Sequence, residues 1–391
     1  MKYSREEVLE FVRQEDVKFI RLAFCDVFGR LNNLAVMVDE LERAFDVGAA
    51  FDPNRIEGFQ RPNAYRLLLK PDPSSLTILP WRPEHGRVVR MFCDVVKPNG
   101  RPFEVDLRRR LRDAVELAQS KGFRFEFGSR QVFYLFRLDE ERNELRVPYD
   151  NGRYMSVYPE DKGENVRREI CLTLEQMGVS PVCSRHEAGP GQNEVEFRFS
   201  DPLTAADRAV TFQSVVKTTA RRNGLVADFS PKPLHEQPGN GFHISIAVEP
   251  SENRSLLNQV AAGVLRQIAD CSLFLNPTPE SYKRLDDEPD LRKIIIPTEI
   301  EGTRRRLVLR LPDPAANPYL AFNLLLRAGL AGLDQKLDLP SSTSISINED
   351  GDRFLQPSER AVDLQDARRR AQASSFIKEH VPDVVVRSYC T

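Results

Sequence analysis

Arg185-His186-Glu187-Ala188-Gly189-Pro190-Gly191-Gln192-Asn193-Glu194-Val195-Glu196-Phe197 sets a Gly-Pro-Gly turn between two acidic segments. From Glu194 to Phe199 polar and apolar side chains alternate, the period of a half-buried strand. Strands joined by such a turn bring their carboxylates to one place, as a metal ion or ammonium group requires. A polar hairpin with solvated glutamates explains the same spacing, so this stretch alone leaves both readings open.

Composition narrows the class. The chain has 391 residues, enough for about two to three domains with a full-sized core. Charged residues make up 29% and the net charge is −2, with Lys and Arg interspersed among Asp and Glu. That pattern argues against nucleic acid as a partner. Met1 to Glu7 carries no apolar signal core, and no stretch approaches the ~18 apolar residues of a membrane span. The cysteines at 25, 93, 171, 183, 271 and 390 form no Cys-x-x-Cys pair. They predict reduced thiols and a cytoplasmic location, without a disulfide framework or zinc site.

Along the chain, Ser4-Arg5-Glu6-Glu7 reads as a capping box opening a short helix. Strands are expected over Lys18–Val27 and Leu34–Val38, then a helix from Asp39 to about Phe45. Phe51 to Phe59 is too polar and Pro-interrupted to be an element. Lys97-Pro98-Asn99-Gly100 is a strong turn, and we set a domain boundary just after it, giving 1–103 and 104–391. Asp106 is the expected N-cap of a helix ending near Gly122. Further helices are expected over Glu164–Met177, Leu203–Asn223, Leu256–Asp270 and Asn317–Leu333. Strands are expected at Val132–Phe136, Leu225–Phe229, Phe242–Val248 and Leu307–Leu311. The tail from Ser341 is polar, with one Arg-rich helix around residues 360 to 373. Strands and helices mix without regular β-α-β repetition, which indicates an α+β fold with a largely antiparallel sheet.

Several blocks, in order, resemble bacterial type I glutamine synthetase. His-Glu-x-x-Pro-Gly-Gln-x-Glu (186–194) is similar to that family's second metal-ligand motif. Phe51-Asp52…Ile56-Glu57-Gly58 resembles Phe-Asp-Gly-Ser-Ser-Ile-x-Gly, and Gly128-Ser129-Arg130-Gln131-Val132-Phe133 stands where the family has Gly-x-Glu-x-Glu-Phe. Pro231-Lys232-Pro233 with Gly239-Asn240-Gly241-Phe242-His243 resembles the Pro-Lys-Pro and Asn-Gly-x-Gly-x-His pair. Asn276-Pro277-Thr278, Ser281 to Leu285, and Pro312 to Leu320 are near-verbatim. The resemblance implies a small N-terminal β-grasp domain and a larger catalytic-type domain with a curved antiparallel sheet and flanking helices. It also implies hexameric rings with sites shared between subunits, and ATP with two Mg²⁺ or Mn²⁺ ions to phosphorylate glutamate before ammonia displaces the phosphate.

Carried over residue by residue, the pattern is incomplete. One implied metal site keeps Glu187 and Glu194 but has Val132 as its third member. The other keeps His243 but has Arg130 and Val308 in place of glutamates. Three carboxylates have become Arg, Val and Val, so −3 has become +1. A guanidinium about 4 Å from a divalent ion is repelled by roughly 8 kcal/mol at an effective dielectric of about 20. These substitutions weigh against metal binding and predict that Arg130 reaches across to Glu187 and Glu194, replacing the metal with a salt-bridged core. Gly239, Arg284 and Arg310 match the positions that hold the substrate glutamate, though both arginines could instead tie loops together. Asp52 matches the ammonium-site Asp of a neighbouring subunit, while Pro53-Asn54-Arg55 departs from Gly-Ser-Ser. The implied flap glutamate and phosphate-facing arginines fall in a shortened stretch, where Glu288 or Arg292 are the candidate substitutes.

Two functions follow. One is a pseudoenzyme of this family acting as a regulatory, scaffold or amino-acid-sensing subunit in nitrogen metabolism, alongside an intact paralogue. The other is a divergent ATP-dependent glutamine synthetase or γ-glutamyl-amine ligase with a rearranged metal site. A glutamate-like ligand and a homo-oligomer, most simply a ring or stacked rings, are expected either way.

Overall fold

The computed structural model describes all residues except 1–2, 61–65, 83–84, 140, 142, 251–253, 299–304, 340 and 342. The chain folds as two compact units, 1–110 with 172–179, and 111–171 with 180–391.

The first unit opens on helix α1 (Arg5–Gln14), where Ser4 and Glu7 form the expected capping box and Val8 and Val12 are buried. It continues through β1 (Val17–Cys25), β2 (Leu31–Met37), α2 (Leu41–Asp46), β3 (Ala49–Phe51), β4 (Leu67–Pro71), β5 (Thr77–Ile78) and β6 (Arg87–Val96). Its sheet runs β2-β1-β6-β4-β3, with β5 also on β6. β1 and β6 are parallel and the flanking pairs antiparallel, a β-grasp arrangement. Phe51 to Phe59 is more ordered than its composition predicts. Phe51 ends β3, and the Asp52 carboxylate caps a 3-10 turn over Pro53–Arg55 by accepting from the Asn54 amide. The Lys97–Gly100 turn closes with the Gly100 amide donating to the Lys97 carbonyl at 2.8 Å.

Helix α3 (Leu107–Ser120) is capped by Asp106, which accepts from the Arg109 amide at 3.1 Å. Then come β7 (Arg124–Leu138), β8 (Glu144–Pro148), α4 (Glu164–Gln176), β9 (Pro181–His186), β10 (Gln192–Ser200), α5 (Pro202–Arg222), β11 (Leu225–Asp228) and β12 (Phe242–Glu249). The chain goes on through α6 (Arg254–Leu275), α7 (Pro279–Asp287), β13 (Ile294–Ile296), β14 (Leu307–Leu309), α8 (Pro318–Asp334), β15 (Ser344–Ile347), β16 (Arg353–Gln356), α9 (Leu364–Ala373), α10 (Ser375–His380) and α11 (Asp383–Cys390). The second unit's antiparallel sheet runs β15-β16-β13-β14-β12-β7-β10-β9, with β8 and β11 also on β7.

Strand alternation assigns the two faces of this sheet. Phe127 and Phe242 stack against Phe322 of α8, while Phe133 and Phe197 pack on Phe212 of α5. The intervening residues, among them Arg130, Glu194, Glu196 and His243, therefore share the face away from these helices. Behind the sheet α6 and α8 touch at Gly263 and Gly332. A Cβ on Gly332 would stand 2.0 Å from the Gln259 carbonyl oxygen, so only glycine fits there.

Two expectations need correction. The tail is not polar filler with one helix: β15 and β16 complete the sheet edge, and α10 and α11 follow α9, burying Phe376, Ile377, Val385 and Tyr389. The strand expected to reach Leu311 stops at Leu309, because the carbonyls of Arg310 and Leu311 accept from the Arg284 guanidinium instead of a neighbouring strand.

Candidate functional site

The hairpin β9–β10 turns through Gly189-Pro190-Gly191-Gln192, where the Gln192 amide donates to the Gly189 carbonyl at 3.0 Å. Gly191 has φ +68°, a value that favours glycine at the third position of a Pro-led turn. Asp150, 3% exposed, fixes this turn from below. Its carboxylate accepts from the amides of Gly191 (2.9 Å), Gly152, Lys162 and Gly163, and bonds His186 Nε2 at 2.8 Å. His186 Nδ1 meets the Glu187 carbonyl at 2.6 Å. Burial opposes the imidazolium, yet Asp150 and that carbonyl hold the His186 pKa above its usual value. Asp150, Asp161 and His186 are close enough to suggest a metal cluster. Their oxygens and nitrogens are already engaged, Asp161 by a two-pronged Arg167 pair, so the group is a structural node.

Cross-strand register brings the predicted residues together in two rows. Cys183, Glu196, Arg130 and His243 stand opposite one another across β9, β10, β7 and β12. Because Ile244 pairs with Leu309, Arg310 lies beside His243 one strand further on. In the adjoining row Arg185, Glu194 and Val132 are paired, and the Val132 amide donates to the Gly241 carbonyl. Val308 pairs with Ser245.

A salt-bridged core does occupy the implied metal position, but Arg130 contributes only a long ion pair to Glu194 and none to Glu187 among the described residues; another arginine holds both carboxylates. That arginine is Arg185: its Nε donates to Glu187 Oε1 at 3.1 Å and its Nη2 to Glu194 Oε1. Arg130 Nη1 stays 3.9 Å from Glu194 Oε1, and His243 Nδ1 stays 3.9 Å from Glu194 Oε2. The residue was legible in hindsight, since strand alternation puts Arg185 on the face of Glu187 and directly opposite Glu194. Burial lifts the Glu194 carboxyl to about 7, against the pull of Arg130 and Arg185. Burial, reinforced by Arg130, Arg310, Arg284 and Arg185, drives the His243 pKa well below its usual value, so the ring is neutral.

These residues do not fit the divalent ions that the resemblance implies. One carboxylate is buried and shared by two guanidiniums, the other is bonded to Arg185, and the remaining ligand lies among arginines. A hard cation needs free, ionised oxygens.

Gly239 sits where a Cβ would come within 2.6 Å of the Pro231 carbonyl oxygen and 2.7 Å of Arg284 Cγ. Arg284 is 1% exposed, and its Nη atoms donate to the carbonyls of Leu311 and Arg310, each at 2.9 Å. Burial pushes its pKa down to about 10. Of the two readings held open for Arg284, the loop-tying one describes its contacts. The half-buried Arg310 guanidinium has no hydrogen-bond or ion-pair partner among the described residues. Arg292, a candidate phosphate contact, is buried and engaged with the Leu285 carbonyl and Asp286. Asp52, in the first unit, accepts from the Asn54 amide and side chain.

The sequence matches the family model for the glutamine synthetase β-grasp domain over residues 16–98, and that for the glutamine synthetase catalytic domain over 104–391. Glutamine synthetase of Methanosarcina mazei is 37% identical, with 99% of this chain and 92% of that protein aligned. The Clostridium saccharobutylicum glutamine synthetase is 38% identical over 88% of this chain and 83% of its own. Among solved structures, GmaS in complex with ADP superposes with a TM-score of 0.82 at 26% identity, covering 98% of this chain and 93% of that one. Plasmodium falciparum glutamine synthetase shares the fold at TM-score 0.85 and 18% identity, covering 100% and 95%. Two domain models in tandem, full-length relatives and an ordered set of site motifs agree: the chain belongs to the glutamine synthetase family.

Proposed function

We propose that this protein is a divergent ATP-dependent ligase of its family, joining the γ-carboxyl of a glutamate-like amino acid to ammonia or another amine, with a rearranged cation site. The observation that carries it is the relationship itself: relatives at 37–38% identity over 88–99% of this chain are named glutamine synthetase. That relationship favours an active enzyme over the pseudoenzyme reading. In the ligase, Arg310 offers its unpartnered guanidinium to the substrate carboxylate. Arg284 holds the Gly239 segment and the end of β14 in place beneath it. Asp52 of a neighbouring copy stands at the amine. No step is assigned to a metal held by Glu187 and Glu194.

A second reading, a non-catalytic homologue sensing an amino acid or partnering an intact paralogue, is favoured by one specific feature. The Arg185 guanidinium fills the space between Glu187 and Glu194. Incubation with ATP, Mg²⁺ or Mn²⁺, glutamate and a panel of amines separates the two. The ligase gives amine-dependent ADP release that is lost in Arg310→Met. Glutamate binding by calorimetry with no ADP above blank for any amine would instead establish the non-catalytic homologue. In both cases we place the protein in the cytoplasm as a homo-oligomer. All six cysteines are unbridged, and no described helix is long and apolar enough to cross a membrane.

A further inference from the structure

On the side of the second unit's sheet where α8 packs, four helices leave a cavity of about 380 Å³ between them. Its walls come from the end of α3, from α6, from the last turns of α8 and from α10. Small-molecule sites typically span about 300–1,000 Å³, so the space suits a compact ligand. Helices α6 and α8 are pinched together at its edge, where a Cβ on Gly263 would stand 2.1 Å from the Ala328 carbonyl oxygen. Arg266 and Gln267 lie three and four residues beyond Gly263, on the same face of α6, and line the cavity with it. Leu117, Leu330, Leu337 and Phe376 supply an apolar surface. The Phe376 ring stands edge-on to His380, with centroids 4.6 Å apart.

The charges on these walls are only partly matched. Lys121 and Asp334 pair with each other. The Arg266 guanidinium donates to a neutral group, the Gln335 side-chain oxygen at 3.2 Å, and meets no carboxylate among the described residues. The Glu379 carboxylate, on α10, has neither hydrogen bond nor ion pair among them. One wall therefore offers a guanidinium and another a carboxylate, and the two do not pair across the cavity. Helices α3 and α8 both end here, and their C-terminal carbonyls add partial negative charge.

We infer that this cavity binds a small zwitterion of the amino-acid class, with its carboxylate at Arg266, its ammonium at Glu379 and its apolar part against Phe376 and the leucines. A guanidinium fork suits a carboxylate. A plain carboxylate would leave Glu379 and the helix ends without a cation, and a plain amine would leave Arg266 without an anion. Both α-amino acids with apolar side chains and ω-amino acids carry this chemistry. No residue of the cavity belongs to the site assigned to the ligase, so the inference stands apart from that reading.

Calorimetric titration of the full-length protein tests it with leucine and with 6-aminohexanoate. Isocaproate and isoamylamine, which are leucine without its amine and without its carboxylate, serve as single-charge probes. Saturable binding of a zwitterion is expected, unchanged in Arg310→Met and weakened roughly ten-fold by Arg266→Met or Glu379→Gln, as for one charge-assisted contact. Partial recovery in Arg266→Lys supports the site further. Tighter binding of leucine identifies an α-amino acid, and tighter binding of 6-aminohexanoate an ω-amino acid. No saturable binding of either zwitterion, isocaproate or isoamylamine binding as tightly as leucine, binding lost in Arg310→Met, or both cavity variants binding unchanged would each overturn it. Arg266 and Glu379 are exposed, so their variants are expected to fold, and an unshifted thermal melt checks this. Amine-dependent ADP release tests the ligase separately, and its absence would leave the cavity site standing.

Discussion

Glu194 is where burial and charge compete most directly. Its side chain is 3% exposed, and burial outweighs two nearby guanidiniums, raising its pKa from 4.5 to about 7. A carboxyl whose folded pKa exceeds its unfolded one binds its proton more tightly when folded. Its contribution to stability is therefore complete below pH 4.5 and is lost as pH rises through about 7. We expect urea unfolding to show stability falling across that window by an amount on the order of 2–3 kcal/mol. Glu194→Gln should flatten the profile, and an unchanged slope in that variant would place the titration elsewhere. At this scale the sequence was informative but incomplete. The losses at Arg130, Val132 and Val308 are readable from the motif, and the structure does bring Glu187, Glu194, Gly239, His243, Arg284 and Arg310 onto neighbouring elements. Which arginine neutralises the carboxylates is not part of the motif; it follows from strand alternation and cross-strand register on the two sides of the turn. Arg185 lies directly across from Glu194, whereas Arg130 is opposite Glu196, one row away.

Elements were legible where a local rule applies. The capping box at Ser4, the Asp106 cap and the helix ends expected at Met177 and Asn223 are reproduced within a residue or two, the last two each followed by a glycine with positive φ. The tail was not legible, because β15 and β16 are short strands that pair with each other and join the sheet only where β16 pairs with distant β13. The β9–β10 hairpin shows the same dependence on distant support. Its turn chemistry is local, but its position is set by Asp150, 36 residues before His186 and 41 before Gly191. Removing one member of a buried ion pair costs about 3–5 kcal/mol. Asp150→Ala is expected to destabilise the fold by that amount in urea titration and to abolish hydrogen-exchange protection at the Gly191 amide. Asp150→Asn keeps an acceptor and should cost roughly half as much. Equal losses in both variants would show that charge, not hydrogen bonding, fixes the turn.

At the scale of the whole molecule, the second unit exposes several apolar side chains between the start of β8 and α4. Leu145, Val147, Tyr154, Met155, Val157 and Tyr158 are each 45–70% exposed. Large exposed apolar side chains this close in sequence are the candidates for a surface that associates. A second copy is the partner that a homo-oligomer supplies, and closed cyclic symmetry satisfies such a surface on every subunit. We expect light scattering at micromolar concentration to give a multiple of the 44.7 kDa chain mass. Replacing Val157 and Tyr158 together with glutamate should lower that mass, since neither side chain is needed for the core, while circular dichroism stays unchanged. A 44.7 kDa species for the unmodified protein would refute assembly. An unchanged large species in the double variant would move the interface to other surfaces. In the ligase reading assembly also bears on chemistry, because that reading has Asp52 of one copy serve the amine bound on another. If the ligase reading holds, the dissociated double variant should lose amine-dependent ADP release.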